Sequence, residues 1–224
     1  MMDRRRLLSD GQLAWLIIIV ALLIDQIIKI EVKTSMYLGE SIHITDWFYI
    51  SFIENNGMAF GMTFFNKLVL SLFRIVAISA IAIYIYKVIK RPHRVGYVVC
   101  LSLIIAGAAG NMFDSMFYGL IFCASSPFYL SEFVTFGTGY APFLQGKVVD
   151  MFYFPLIKGT WPSWMPFWGG DDFVFFSPVF NFADACVSVG VIILLLFYRR
   201  EMEALGETIH GKKADDSGDE KTEE

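Results

Sequence analysis

Histidine and cysteine are scarce, with three of each in 224 residues. Cys100, Cys123 and Cys186 are far apart. They fit no metal or disulfide spacing and read as small apolar filler. His43, His93 and His210 are too scattered for a zinc or di-iron site. Neither a metal nor another cofactor is therefore expected, and nothing points to nucleic acid. Charge is also thin, at 18% of residues against 56% hydrophobic and a mean hydropathy of +0.55. Soluble domains are rarely this apolar.

The net charge of −4 conceals an asymmetry. Residues 201–224 hold nine acids and three bases, −6 in total, which leaves +2 on the remaining body. That acidic stretch has few apolar residues and reads as a disordered cytoplasmic tail.

Four apolar runs dominate the body: residues 13–30, 68–89, 95–113 and 178–198. Each approaches the roughly 20 residues a helix needs to cross the hydrocarbon core. The expected helices span about 12–31, 67–89, 95–114 and 178–199. Arg4, Arg5 and Arg6 precede the first. Lys87, Lys90, Arg91 and Arg94 crowd the second connection around Pro92, and Arg199 and Arg200 follow the fourth. With four spans all three clusters share one side, which makes it the cytoplasm and puts both termini there. The first run could be a secretory signal peptide, but Asp25-Gln26-Ile27-Ile28-Lys29 follows it where a small-residue cleavage site would stand, so a retained helix is expected.

The two larger connections, about residues 31–67 and 115–177, then face outward. Residues 37–53 alternate and are rich in Ile, Tyr, Phe and Trp, which predicts short strands. Trp161, Trp164 and Trp168 suit a membrane–water interface, either as an ordinary aromatic belt or as a surface that cradles an amphiphilic substrate. The expected fold is an all-α membrane protein with four transmembrane helices, a small extracytoplasmic β-cradle and an aromatic-rich outer loop. Residues 1–200 would form one membrane domain, followed by the tail.

The polar residues converge on one level. Asp25 and Lys29 are four apart near the outer end of the first helix and can pair on one face. Asn56 and Gly57, in Asn55-Asn56-Gly57-Met58-Ala59-Phe60-Gly61, lead toward the second. Asn111 and Asp114 end the third, Asn181 and Asp184 begin the fourth, and Asp150 stands in the loop between them. Asn-x-x-Asp spacing puts each pair on one helix face. Carboxylates at membrane depth are costly and mark function more often than not. Gly107, Ala108 and Gly110, opposite Ala183 and Ala185, permit close helix approach around a shared polar pocket. The competing reading is that these acids only satisfy helix ends and each other. Arg74, about two turns into the second run, would snorkel outward or pair with an acid.

At these residues the chain resembles the signal peptidase II family, the lipoprotein signal peptidases, over nearly all of residues 11–200. The phrases that carry the resemblance are Asp25-Gln26-Ile27-Ile28-Lys29, Asn56-Gly57-Met58-Ala59-Phe60-Gly61, Gly107-Ala108-Ala109-Gly110-Asn111-Met112-Phe113-Asp114, Val148-Val149-Asp150 and Phe180-Asn181-Phe182-Ala183-Asp184. The resemblance implies a membrane aspartic endopeptidase of the bacterial inner membrane. Such an enzyme removes the signal peptide from diacylglyceryl-modified prolipoproteins, just before the lipidated cysteine. It implies Asp150 and Asp184 as the catalytic pair. Asp25, Lys29, Asn56, Gly57, Asn111, Asp114, Asn181 and Ala183 would support the pocket or contact substrate. It also implies membrane lipid and a globomycin-type inhibitor as partners; a monomer is expected. Two departures stand out. Ser115 occupies the position where the family usually carries Arg, and the segments near 120–146 and 156–176 are longer than usual.

Two paired carboxylates share a proton, so one can activate water while the other donates to a scissile carbonyl. Two rival readings use the same residues: a proton-coupled transporter, and a non-catalytic membrane assembly protein.

Overall fold

The computed structural model describes residues 7–56 and 67–203. Arg4–6, Gly57 with the rest of its phrase through Gly61, and residues 204–224 of the acidic tail lie outside the described residues.

Helix α1 (Asp10–Ser35) opens on a capping box: Gln12 donates its backbone N–H to Ser9 Oγ at 3.3 Å, and its side chain accepts from the Ser9 N–H at 2.9 Å. Its 26 residues extend beyond the expected 12–31 at both ends, a rise of roughly 39 Å. Asp25 and Lys29 therefore lie inside the helix rather than at its end. Helix α2 (Lys67–Ile89) and helix α3 (Val95–Phe113) follow. Helix α3 does not stop at Asp114. It continues through a π-helical turn, Asp114–Tyr118, and a short helical turn, α4 (Gly119–Ile121). Among the described residues three helical segments, Asp10–Ser35, Lys67–Ile89 and Val95–Ile121, are long and apolar enough to cross a membrane. The last helix, α5 (Phe182–Phe197), is apolar but has only 16 residues. It is shorter than the expected 178–199 because residues before it form a strand and a cap.

The expected strands appear as β1 (Ser41–Thr45) and β2 (Phe48–Asn55). The long connection after α4 is also partly strand, a correction to its reading as loop. It holds β3 (Val148–Tyr153), the hairpin β4 (Ile157–Thr160) with β5 (Asp172–Phe175), and β6 (Val179–Phe180). One sheet runs β1-β2-β3-β6 with antiparallel neighbours, and β4-β5 forms a second. The tip of that hairpin is apolar and open: Trp164 and Phe167 are 79% and 94% exposed.

Among the described residues, two larger cores do most of the packing, beside a small cluster of Ala21, Ala106 and Cys186. One joins the helices through Ala14, Ile85, Val88, Tyr97, Val98 and Leu194. The other lies under the sheet, where Val32, Phe52, Tyr118, Phe122, Val149 and Met151 are buried together. Helices α3 and α5 pack closely because Gly107 and Gly110 carry no side chain. A Cβ at Gly107 would stand 2.2 Å from the Ala183 carbonyl oxygen, and one at Gly110 would stand 2.6 Å from Asp25 Oδ2.

Candidate active site

Lys29 is the centre of the polar cluster. Its Nζ is fully buried, and it donates to Asp25 Oδ2 at 2.9 Å, Asp114 Oδ2 at 2.9 Å and Asn111 Oδ1 at 2.8 Å. An ammonium has three protons, and here each has an acceptor. Two carboxylates around one cation would leave excess negative charge, which other donors spread. Asp25 Oδ1 accepts the Ala183 N–H at 2.9 Å, so α1 caps the first turn of α5. Asp114 accepts the Val149 N–H at 3.3 Å and Gln26 Nε2 at 2.9 Å. Gln26 in turn accepts from the buried Tyr118 hydroxyl at 3.1 Å.

The sheet delivers the remaining groups. Strand β6 pairs with β3 through Phe152 and Phe180, and the chain then turns directly into α5. Asn181, fully buried, caps that helix by accepting the Asp184 N–H at 2.9 Å. Its amide donates to Asp150 Oδ1 at 2.6 Å and to Asn111 Oδ1 at 3.1 Å. Asn111 donates to Asp184 Oδ1 at 2.7 Å. Asp150 is on β3 and not in a loop, and it is buried; Asp184 is half-buried. Two touching asparagines thus bridge the two acids. Burial first, and then the Asp184 charge, push the Asp150 carboxyl up to about 7, against the hydrogen bonds that favour its ionised form.

Asp25, Lys29, Asn111, Asp114, Asp150, Asn181, Ala183 and Asp184 all meet in this network. Asn56 does not; it is exposed. Its neighbour Asn55 donates to Asp150 Oδ2 at 3.2 Å instead, because the β2–β3 register sets the Asn55 strand beside Asp150. Gln26 and Asn55 carry no spacing signal beyond adjacency to residues that do. Ser115 is buried, and its hydroxyl donates back to the Asn111 carbonyl at 3.1 Å inside the π-helical turn. Arg74 lies on α2, half-buried, with Asp184, Asp114 and Asp150 as its charged neighbours, which favours pairing over snorkelling. Among the described residues no group of His, Cys, Asp and Glu could hold a metal ion.

Residues 17–199 match the family described as Signal peptidase (SPase) II. The chain belongs to the signal peptidase II family. As a signal peptidase II it is a membrane peptidase, and the transporter and assembly readings find no support. It is similar to the lipoprotein signal peptidase of Porphyromonas gingivalis, 51% identical over 207 residues that cover 92% of this chain and 90% of the relative. It is also similar to that of Amoebophilus asiaticus, at 35% identity over 84% of this chain and 78% of the relative. Two solved bacterial membrane enzymes share the fold of this signal peptidase II. One has a TM-score of 0.55 at 22% identity, covering 94% of this chain and 93% of its own. The other has a TM-score of 0.56 at 24% identity, covering 88% and 99%.

Proposed function

We propose that this signal peptidase II hydrolyses the peptide bond before the lipidated cysteine of diacylglyceryl-modified prolipoproteins, with Asp150 and Asp184 as its catalytic pair. The observation that carries the reading is the bridge between the two acids: Asn181 holds Asp150 at 2.6 Å, Asn111 holds Asp184 at 2.7 Å, and the two amides touch at 3.1 Å. Asp150, with its carboxyl raised by burial and by its neighbour, carries the shared proton near neutral pH. It donates to the scissile carbonyl oxygen. Asp184, half-buried and open to water, takes a proton from the attacking water. The Lys29 cluster holds α1, α3 and α5 in register and supports the pair without joining the chemistry.

Helices α1, α2, α3 and α5 are the four spans of residues 1–200, with both ends cytoplasmic and the acids at the outer face of the bacterial inner membrane. The basic turn from Lys87 to Arg94 and the polar cluster at the opposite helix ends support that orientation. Residues 201–224 form an acidic cytoplasmic tail. The lipid tails of the substrate stay in the bilayer while its peptide bond reaches the pocket, where a globomycin-type inhibitor would compete. A single copy supplies every group of the network, in keeping with a monomer.

The test is cleavage of a diacylglyceryl-modified prolipoprotein by purified protein in detergent, read as a size shift, beside Asp150→Asn and Asp184→Asn. Wild-type cleavage with a loss of 1,000-fold or more, on the order expected for removing an essential acid or base, is the expected result in both variants. Cleavage that survives both changes would overturn the dyad.

A further inference from the structure

Lys67 is a half-buried cation that the network does not use. Its Nζ is shielded from solvent and, among the described residues, has no hydrogen-bond partner. Lys67, Ser71 and Arg74 are spaced i, i+4 and i+7, on one face of α2. Ser71 fixes the direction of that face by donating to the Leu144 carbonyl at 2.8 Å, six residues before Asp150. The charged neighbours of Arg74 are Asp184, Asp114 and Asp150, and those of Lys67 are Arg74, Asp114, Lys147 and Glu54. This face therefore looks across the pocket toward the acids. A shielded amine without an acceptor is costly, and an anion brought to it would relieve that cost.

The reaction supplies an acceptor. Water oxygen bonds to the scissile carbonyl carbon, the carbon–nitrogen bond breaks, and the amine leaves with the lipidated cysteine after taking up a proton. The other fragment, the signal peptide, ends in a new carboxylate. That anion forms beside Asp150 and Asp184, which share one proton and repel it. Lys29 already donates all three of its protons, which leaves the cations of the α2 face to meet the new charge.

We propose that Lys67, with Arg74, forms a product site on α2 that binds the new C-terminal carboxylate of the released signal peptide. The site rests on the peptidase reading above and adds to it a residue that the dyad mechanism does not require. It makes the cleaved signal peptide a better ligand than an uncharged peptide of the same sequence.

The experiment compares two synthetic signal peptides as inhibitors of prolipoprotein cleavage, one with a free C-terminal carboxylate and one with a C-terminal amide. Wild type should bind the carboxylate about tenfold more tightly, as one charge-assisted hydrogen bond implies. Lys67→Met should level the two, and Lys67→Arg should keep the preference. Lys67→Met should also melt at or above the wild-type temperature in detergent, since it removes a shielded amine without an acceptor. Equal inhibition by both peptides in wild type, or a preference unchanged in Lys67→Met, would overturn the site. Wild-type cleavage is measured in the same preparation. Cleavage without a carboxylate preference overturns the product site alone, and absence of cleavage overturns the peptidase reading on which it rests.

Discussion

Lys29 and Lys33 stand one turn apart on the same face of α1, and neither is exposed to solvent. Their surroundings differ. Among the described residues Lys29 has polar partners from helices, Asp25, Asp114 and Asn111, and through Asn111 it reaches the proposed catalytic pair. Lys33 reaches away from the helices. It pairs with Glu54 of β2 at 2.5 Å and donates to Ser125 at 2.7 Å, while the rings of Phe122 and Tyr140 lie 5.3 and 5.2 Å from its Nζ. Glu54 is pinned again by Lys147, 3.1 Å away and three residues before Asp150. Burial pushes the Glu54 carboxyl up, but the charge and hydrogen bond of Lys33 outweigh that and leave it below its ordinary value. One lysine organises the polar cluster; the next fastens the strands and the long connection to helix α1. The difference teaches that equal burial and equal charge do not give equal roles. What matters is which element supplies the counter-charge.

Lys29→Met should break the comparison most severely. It leaves Asp25 and Asp114 buried without their cation, a loss of about 3–5 kcal/mol. Melting temperature in detergent and cleavage rate should fall together. Asn181→Ala comes next. It removes the α5 cap, worth about 1 kcal/mol, and the shortest donor to Asp150. Turnover should drop about 10- to 100-fold, the equivalent of one hydrogen bond to a charged group, with a much smaller effect on melting.

Lys33→Met should cost less than Lys29→Met, about 1–3 kcal/mol, because Glu54 retains Lys147 and Ser125. Its cleavage rate at a permissive temperature should stay within about tenfold of wild type, since no catalytic group loses a donor. Should Lys33→Met reduce turnover more than Lys29→Met, the division of roles is wrong.

The mildest test is pH. Asp150 has its carboxyl raised from 3.8 to about 7 in the folded protein, so the native state holds a proton that the unfolded chain loses over that window. The stabilising contribution of that proton is present at low pH and is lost as pH rises toward about 7. The value of kcat/KM should likewise fall about tenfold per unit above about pH 7, as the acid that must donate becomes ionised. A rate that stays flat to pH 9 would remove Asp150 from the donor role.

Much of this was legible in the chain. Four-residue spacing predicts that Asp25 and Lys29 share a face, and they meet at 2.9 Å. Three-residue spacing predicts the Asn181 and Asp184 pair, which is the capping box of α5. Alternation predicts the β1–β2 strands. Those signals are local, and local geometry follows from backbone period alone. Lys33 with Glu54, Gln26 with Tyr118, and Asn55 in place of Asn56 were not legible. Each joins segments 21 to 95 residues apart, and nothing in the period of either segment names the other.

By itself the sequence determined a chain with membrane-length apolar helices in roughly the right places, and that acids and amides gather at one level. Hydrophobic length and helical or strand period set these, and neither depends on distant contacts. Only the tertiary structure decided that Asp150 rides a strand, that Asn181 and Asn111 join it to Asp184, and that α2 turns Lys67 and Arg74 toward the same pocket. These depend on the pairing of β6 with β3, on the close approach of α3 to α5 and on the pinning of Ser71 to Leu144. Such contacts arise between faces that become neighbours only after the chain has packed.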